Sequence, residues 1–201
     1  MHISEGVLSA PVLVAGAVLC VAGVAVGLKK MSYDKIPQVA VLSSAFFVAS
    51  LIHVPVGPSA AHLVLNGLLG IILGWMAFPS ILVALALQAL LFQFGGFTTL
   101  GVNTVVMATP ALIAYLLFSP LSRKENTSMV AAAGFLAGVA GIAFGTLLIA
   151  FALISTGESF LRVAQVIAVT HLPIMVIEGV ITAFCLVFLK KVKPEILEVS
   201  T

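Results

Sequence analysis

Apolar runs long enough to cross about 30 Å of hydrocarbon recur along the whole chain, and charged residues gather in the short gaps between them, Glu178 excepted. In lipid, backbone N–H and C=O groups must find partners inside their own segment, so the runs predict helices. Seven spans follow, at 9–28, 36–56, 60–77, 79–94, 102–118, 128–154 and 168–189. They predict a single all-α transmembrane bundle with no soluble domain left over. The fourth span is short and the sixth long, which points to tilt or to a re-entrant segment near Gly95 and Gly96.

Composition agrees with the pattern. Of 201 residues, 62% are hydrophobic and 8% charged, where soluble domains carry about a quarter charged residues. Mean hydropathy is +1.28. Charge then sets the orientation: Lys29, Lys30 and Lys35 follow the first span, Arg123 and Lys124 the fifth, and Lys190, Lys191 and Lys193 the seventh. Only Arg162 opposes them, so the positive-inside rule places the amino terminus outside and the carboxyl terminus in the cytoplasm. No basic n-region precedes Lys29, so the first helix reads as a retained span and not a signal peptide. Cys20 and Cys185 lie inside apolar spans, suggesting packing residues and neither a disulfide nor a metal pair.

On this topology all four histidines, His2, His53, His62 and His171, stand at the outer end. A lone histidine in such a chain is more often a hydrogen-bonded packing or interfacial residue than a ligand. Their shared level is what raises the second reading. His2 adds a chemical argument, because a chain beginning X-His offers the α-amine of Met1, the His2 amide nitrogen and the His2 Nδ1 as two fused chelate rings. Ni(II) and Cu(II) promote the amide deprotonation this needs, and all-nitrogen tetragonal sites suit them. A bulky second residue predicts that Met1 is retained. The plain alternative, an ordinary tail residue, stands beside it.

A fourth nitrogen is expected from a helix end facing the tail. In PVGPSAAHLVLNGLLG, Pro58 and Ser59 predict a helix start with His62 in its first turn and Asn66 one turn on, on the same face, to hold the imidazole or a water. His53, just before the Pro55 to Pro58 turn, is the runner-up. Glu178 is an acid near the midplane, which reads as functional by default, in binding a proton, helping metal release or hydrogen bonding a backbone break, or else as a protonated or paired structural acid. Thr98, Thr99 and Asn103 can cap helices in the glycine-rich loop 95–104, and Glu5 could fix the tail. Small residues that allow close helix approach occur at Ala45 and Ala49, and at Ala137, Gly141 and Gly145.

Four stretches, MHISEG at the start, HLVLNGLLG at 62–70, FGGFTTLGVNT at 94–104 and HLPIMVIEG at 171–179, occur in the order found in the NikM/CbiM family, and the whole chain resembles that family. Its members are substrate-binding membrane components of energy-coupling-factor (ECF) transporters for nickel and cobalt. The resemblance implies metal held by Met1, His2 and His62. The 95–104 loop would back the pocket, and Asn103, Asn66, Thr98, Thr99, His53, His171 and Glu178 would stand as outer-shell candidates. It also implies an Ala45/Ala49 face that meets a membrane coupling subunit, a pair of partner ATPases, an accessory membrane protein, and a place in the prokaryotic plasma membrane. The run after His62 favours Ni(II), with Co(II) as the alternative; the ion is cargo, and no prosthetic group is expected.

No G-x-x-x-x-G-K-[ST] loop is present, so ATP hydrolysis is expected in the partners and not here. The short stretch after the last span implies no fused accessory domain. A stand-alone secondary transporter would string charges along a path, which Glu178 alone does not do, and an enzyme would show a base motif such as H-E-x-x-H. No nucleic-acid partner is expected.

Overall fold

A computed structural model describes residues 2–51, 53–56, 59–157 and 160–197, with 53–56 and 59–61 described through their backbone. Among them are seven α-helices, α1 (Ala10–Lys29), α2 (Ile36–Ala49), α3 (Asn66–Leu73), α4 (Ala77–Phe92), α5 (Leu100–Ser122), α6 (Thr127–Thr156) and α7 (Leu161–Val192). A short antiparallel hairpin of β1 (His53–Val56) and β2 (Ser59–His62) lies between α2 and α3. Among the described residues five stretches are long and apolar enough to cross a membrane: α1, Asn66–Phe92, α5, α6 and α7.

Two expected spans are corrected. The 36–56 span is helical only over Ile36–Ala49, and the 60–77 span only from Asn66. The reason is local: prolines at 55 and 58 in the sequence do not suit a continuing helix, and residues 53–56 and 59–62 pair as the hairpin strands. The 168–189 span, by contrast, begins seven residues earlier, at Leu161. Pro173 is accommodated inside that helix, as lipid-level helices allow when neighbours re-satisfy the freed carbonyl.

The chain reverses at Gly74, whose φ of 54° and ψ of −124° no β-carbon-bearing residue adopts readily. Before it, α3 runs in the direction of α5, with Gly70 against Ala111 and Gly74 against Tyr115. After it, α4 runs in the direction of α2: the Ser43 hydroxyl donates to the Ser80 carbonyl at 2.7 Å near one end, and Ser50 meets Gln88 near the other. The short α3 is thereby enclosed by α5, α6 and α7, and every one of its residues is buried. The small residues of α6 serve this enclosure. Ala137 and Gly141 pack on Gly67 and Asn66, and Gly145 is buried too, so the sixth helix spends its small face inside the bundle and not on a partner.

Candidate metal centre

The tail before α1 lies along the loop that joins α4 to α5. Asn103, in the first turn of α5, accepts from the Ile3 N–H at 2.9 Å and donates its Nδ2 to the Ile3 carbonyl at 3.0 Å, as a neighbouring strand would. The same Nδ2 also reaches Thr99 Oγ1 at 3.2 Å. Two residues on, the Glu5 N–H donates to the Gly95 carbonyl at 3.1 Å, and its carboxylate accepts from the Thr98 N–H at 3.0 Å and hydroxyl at 3.3 Å. The Thr98 N–H holds the Glu5 carboxyl below its usual range, so this anchor persists to lower pH than a free glutamate would allow. Thr98, Thr99 and Asn103 therefore act by fixing the tail.

That docking buries His2, which is 5% exposed. Its ring stacks on His62 with centroids 4.6 Å apart and planes at 29°. The His2 Nε2 lies 2.7 Å from Gln88 Oε1. Gln88 is itself oriented, because its amide Nε2 donates to the Phe47 carbonyl at 3.3 Å and to the Ser50 hydroxyl. A carbonyl can only accept, so the Gln88 oxygen points at His2 and the proton of the His2 ring sits on Nε2. Nδ1 is left as the lone-pair nitrogen, the tautomer that a chelate through the chain start requires.

His62 carries the opposite tautomer. Its Nδ1 donates to the Leu63 carbonyl at 2.8 Å, leaving Nε2 with the lone pair. That Nε2 is buried and has no hydrogen-bond partner among the described residues. His171, in α7, is set the same way: Nδ1 donates to the Ile167 carbonyl at 2.7 Å, and Nε2 is buried without a hydrogen-bond partner among the described residues.

Several expectations change in detail. His62 is the last residue of β2 and not part of a helix, so Asn66 does not sit one helical turn above it; Leu65 between them is left-handed at φ 57°. Asn66 is fully buried against α6, with both side-chain polar atoms lacking a hydrogen-bond partner among the described residues. His171 lies ten residues inside α7 and not at its start. His53 pairs with His62 in the hairpin register, and its side chain lies outside the described residues, as does Met1. Ala45 and Ala49 are half-buried on α2. Glu178 is fully buried, and its carboxylate accepts from the backbone N–H groups of Val64 and Leu65.

Gln88 is the residue sequence reasoning missed. Its signal was available: it is the one strongly polar side chain in the run ILVALALQALLF, and a polar group buried at lipid level needs a stated partner. Among the described residues no three His, Cys, Asp or Glu side chains come together as a metal site. Replacing Asn103 with Ala should free the tail and weaken metal binding about tenfold to hundredfold, the usual cost of losing a group that orients ligands. Competition against a chelator measures it, and affinity equal to wild type would show that the tail docks without Asn103.

Residues 2–196 match the family model CbiM, described as the cobalt uptake substrate-specific transmembrane region. The chain is 45% identical to a Haemophilus influenzae protein provisionally named a metal transport protein, over 98% of this chain and 97% of that one. It is 35% identical to the cobalt transport protein CbiM of Sorangium cellulosum, over 98% and 95%. A crystal structure of a transition metal transporter superposes with a TM-score of 0.75 at 28% identity, covering 96% of this chain and 93% of the other.

Proposed function

The chain belongs to the CbiM family of transmembrane metal-transport components, and on that footing we propose that it captures Ni(II) for an ATP-driven importer of the energy-coupling-factor type. The metal is held by the Met1 amine, the His2 amide nitrogen and Nδ1, and the His62 Nε2. The observation that carries this reading is the pair of complementary tautomers: Gln88 leaves His2 with Nδ1 as its lone-pair atom, and the Leu63 carbonyl leaves His62 with Nε2. Two stacked imidazoles thus turn opposite ring nitrogens to the chemistry, one closing a six-membered ring with its own amide, the other supplying a nitrogen from across the pocket.

Nickel follows from the donors. An ionised amide with amine and imidazole nitrogens is a strong-field, planar set, which Ni(II) accepts readily and Co(II) less so. Cobalt is the second reading, favoured by the description of the family itself. In this proposal the chain crosses the membrane seven times, the third passage being the extended stretch before α3 together with α3. The amino terminus lies outside and the Lys-rich end in the cytoplasm. The half-buried Ala45 and Ala49 of α2 are the face offered to a membrane coupling subunit, with hydrolysis in two ATPase partners and a small accessory membrane protein completing the assembly.

Equilibrium titration of the purified protein with Ni(II) and Co(II) in competition tests it. The expected result is one Ni(II) per chain, preferred over Co(II), with release of protons on binding because the ligands must be deprotonated. His62→Ala should weaken binding without abolishing it, since three nitrogens remain, and His53→Ala should leave it intact. A protein that takes up neither ion would reject the site, and Co(II) binding more tightly than Ni(II) would reject the nickel assignment.

A further inference from the structure

We propose that Glu178 is a positioning residue for the metal centre, joined to the His62 ring through a single peptide group. The inference rests on the site reading above, in which His62 Nε2 is a ligand. The peptide between Leu63 and Val64 has two ends. Its carbonyl accepts the proton of His62 Nδ1 at 2.8 Å, and its N–H donates to Glu178 Oε1. The adjacent Leu65 N–H donates to the same carboxylate at 2.9 and 3.0 Å. A carboxylate on α7 therefore reaches the imidazole of a proposed ligand with one peptide plane between them.

Metal-binding histidines are commonly oriented by a carboxylate or a backbone carbonyl on the ring nitrogen opposite the metal, which fixes the tautomer and strengthens the donor. Here the two devices act in series. A carboxylate that accepts from the N–H of a peptide polarises that peptide, and its carbonyl becomes the better acceptor for Nδ1–H. His62 Nε2 gains donor strength from a charge that stays well away from the metal.

The rest of the local geometry fits this role. The segment from Leu63 to Leu65 belongs neither to β2 nor to α3, so the N–H groups of Val64 and Leu65 need partners from elsewhere. Leu65 is left-handed at φ 57°, a conformation a leucine keeps only when its surroundings dictate it. Glu178 is fully buried in the middle of a 32-residue apolar helix, where an acid is costly. Its carboxyl oxygens are turned onto two backbone N–H groups, one of which belongs to the same peptide that holds His62 Nδ1.

The test compares Ni(II) affinity and the visible d–d absorption of the loaded protein for wild type, Glu178→Gln, Glu178→Asp and His62→Ala. The Gln variant keeps one acceptor but turns an NH2 group toward the second N–H. It should bind Ni(II) about tenfold to hundredfold more weakly, and its spectrum should move from that of wild type toward that of His62→Ala. Glu178→Asp keeps the charge and shortens the reach, so it should shift the same way by less; if the Gln variant does not fold, the Asp variant carries the test. A merely structural acid would lower thermal stability and leave the spectrum of the loaded protein unchanged. A wild-type spectrum in both variants would therefore overturn the inference, while a wild type that binds no nickel would overturn the site reading instead.

Discussion

Placing two extra residues between Met1 and His2 should abolish high-affinity nickel binding while leaving the apo protein folded as before. The tail is held downstream of that point, at Ile3 by Asn103 and at Glu5 by Gly95 and Thr98, and the His2 ring is held by Gln88. The insertion therefore moves the α-amine away, by up to about 7 Å of chain, without displacing either imidazole. The five-membered ring between amine and first amide no longer shares an edge with the six-membered ring through Nδ1, and the planar set falls apart. Chelator competition reads the loss, and thermal unfolding of the apo protein confirms that the bundle is untouched.

A single inserted residue gives a different and diagnostic result. With histidine in third position the amine, two amides and Nδ1 close three fused rings and fill all four planar positions from the tail alone. Such a protein should still bind Ni(II), yet lose its sensitivity to His62→Ala. Undiminished, His62-dependent binding after the two-residue insertion would reject the amino-terminal site outright.

The parts of this molecule legible in its sequence are those that depend on local composition. Runs such as VAGAVLCVAGVAVGL and VAAAGFLAGVAGIAFGTLLIAFAL declare α1 and α6 to within a residue or two, because lipid leaves a helix as the only way to satisfy their backbone. The residues gathered at the histidine end were likewise visible, since few polar groups exist to choose from. What escaped was everything set by contacts between distant segments. The stretch between the hairpin and α3 looks apolar enough to be helix, and nothing along the chain says that Glu178, 114 residues from Val64, receives the N–H groups of Val64 and Leu65. Gln88 escaped for a related reason: its role needs a partner 86 residues away. Glu178 drew attention as an isolated acid, but nothing in its neighbours along the chain says that it faces a peptide and not a cation.

Replacing Gly67 with Val should damage both the bundle and the metal centre. A β-carbon at Gly67 would lie 2.5 Å from the carbonyl carbon and oxygen of Ala137 and from the nitrogen of Gly138. All three are backbone atoms of α6, so no side chain can turn aside, and α3 itself is buried along its whole length. Overpacking of this kind costs about 1–3 kcal/mol where neighbours can shift, and here the enclosing helices leave little room to shift. At roughly 2–4 °C per kcal/mol for a chain of this size, the apo protein should melt several degrees lower. The site must feel it too, because Asn66 and the Leu65 N–H held by Glu178 immediately precede the substituted position. Nickel normally raises the melting temperature in proportion to the logarithm of its concentration over Kd; in Gly67→Val that rise should shrink, since part of the binding energy is spent on pulling α3 back against α6. A variant that melts as wild type does would mean that α3 and α6 are not in backbone contact at Gly67. A variant that melts low but gains the full wild-type stabilisation from nickel would mean that His62 is placed independently of α3, leaving Glu178 and the hairpin as its supports.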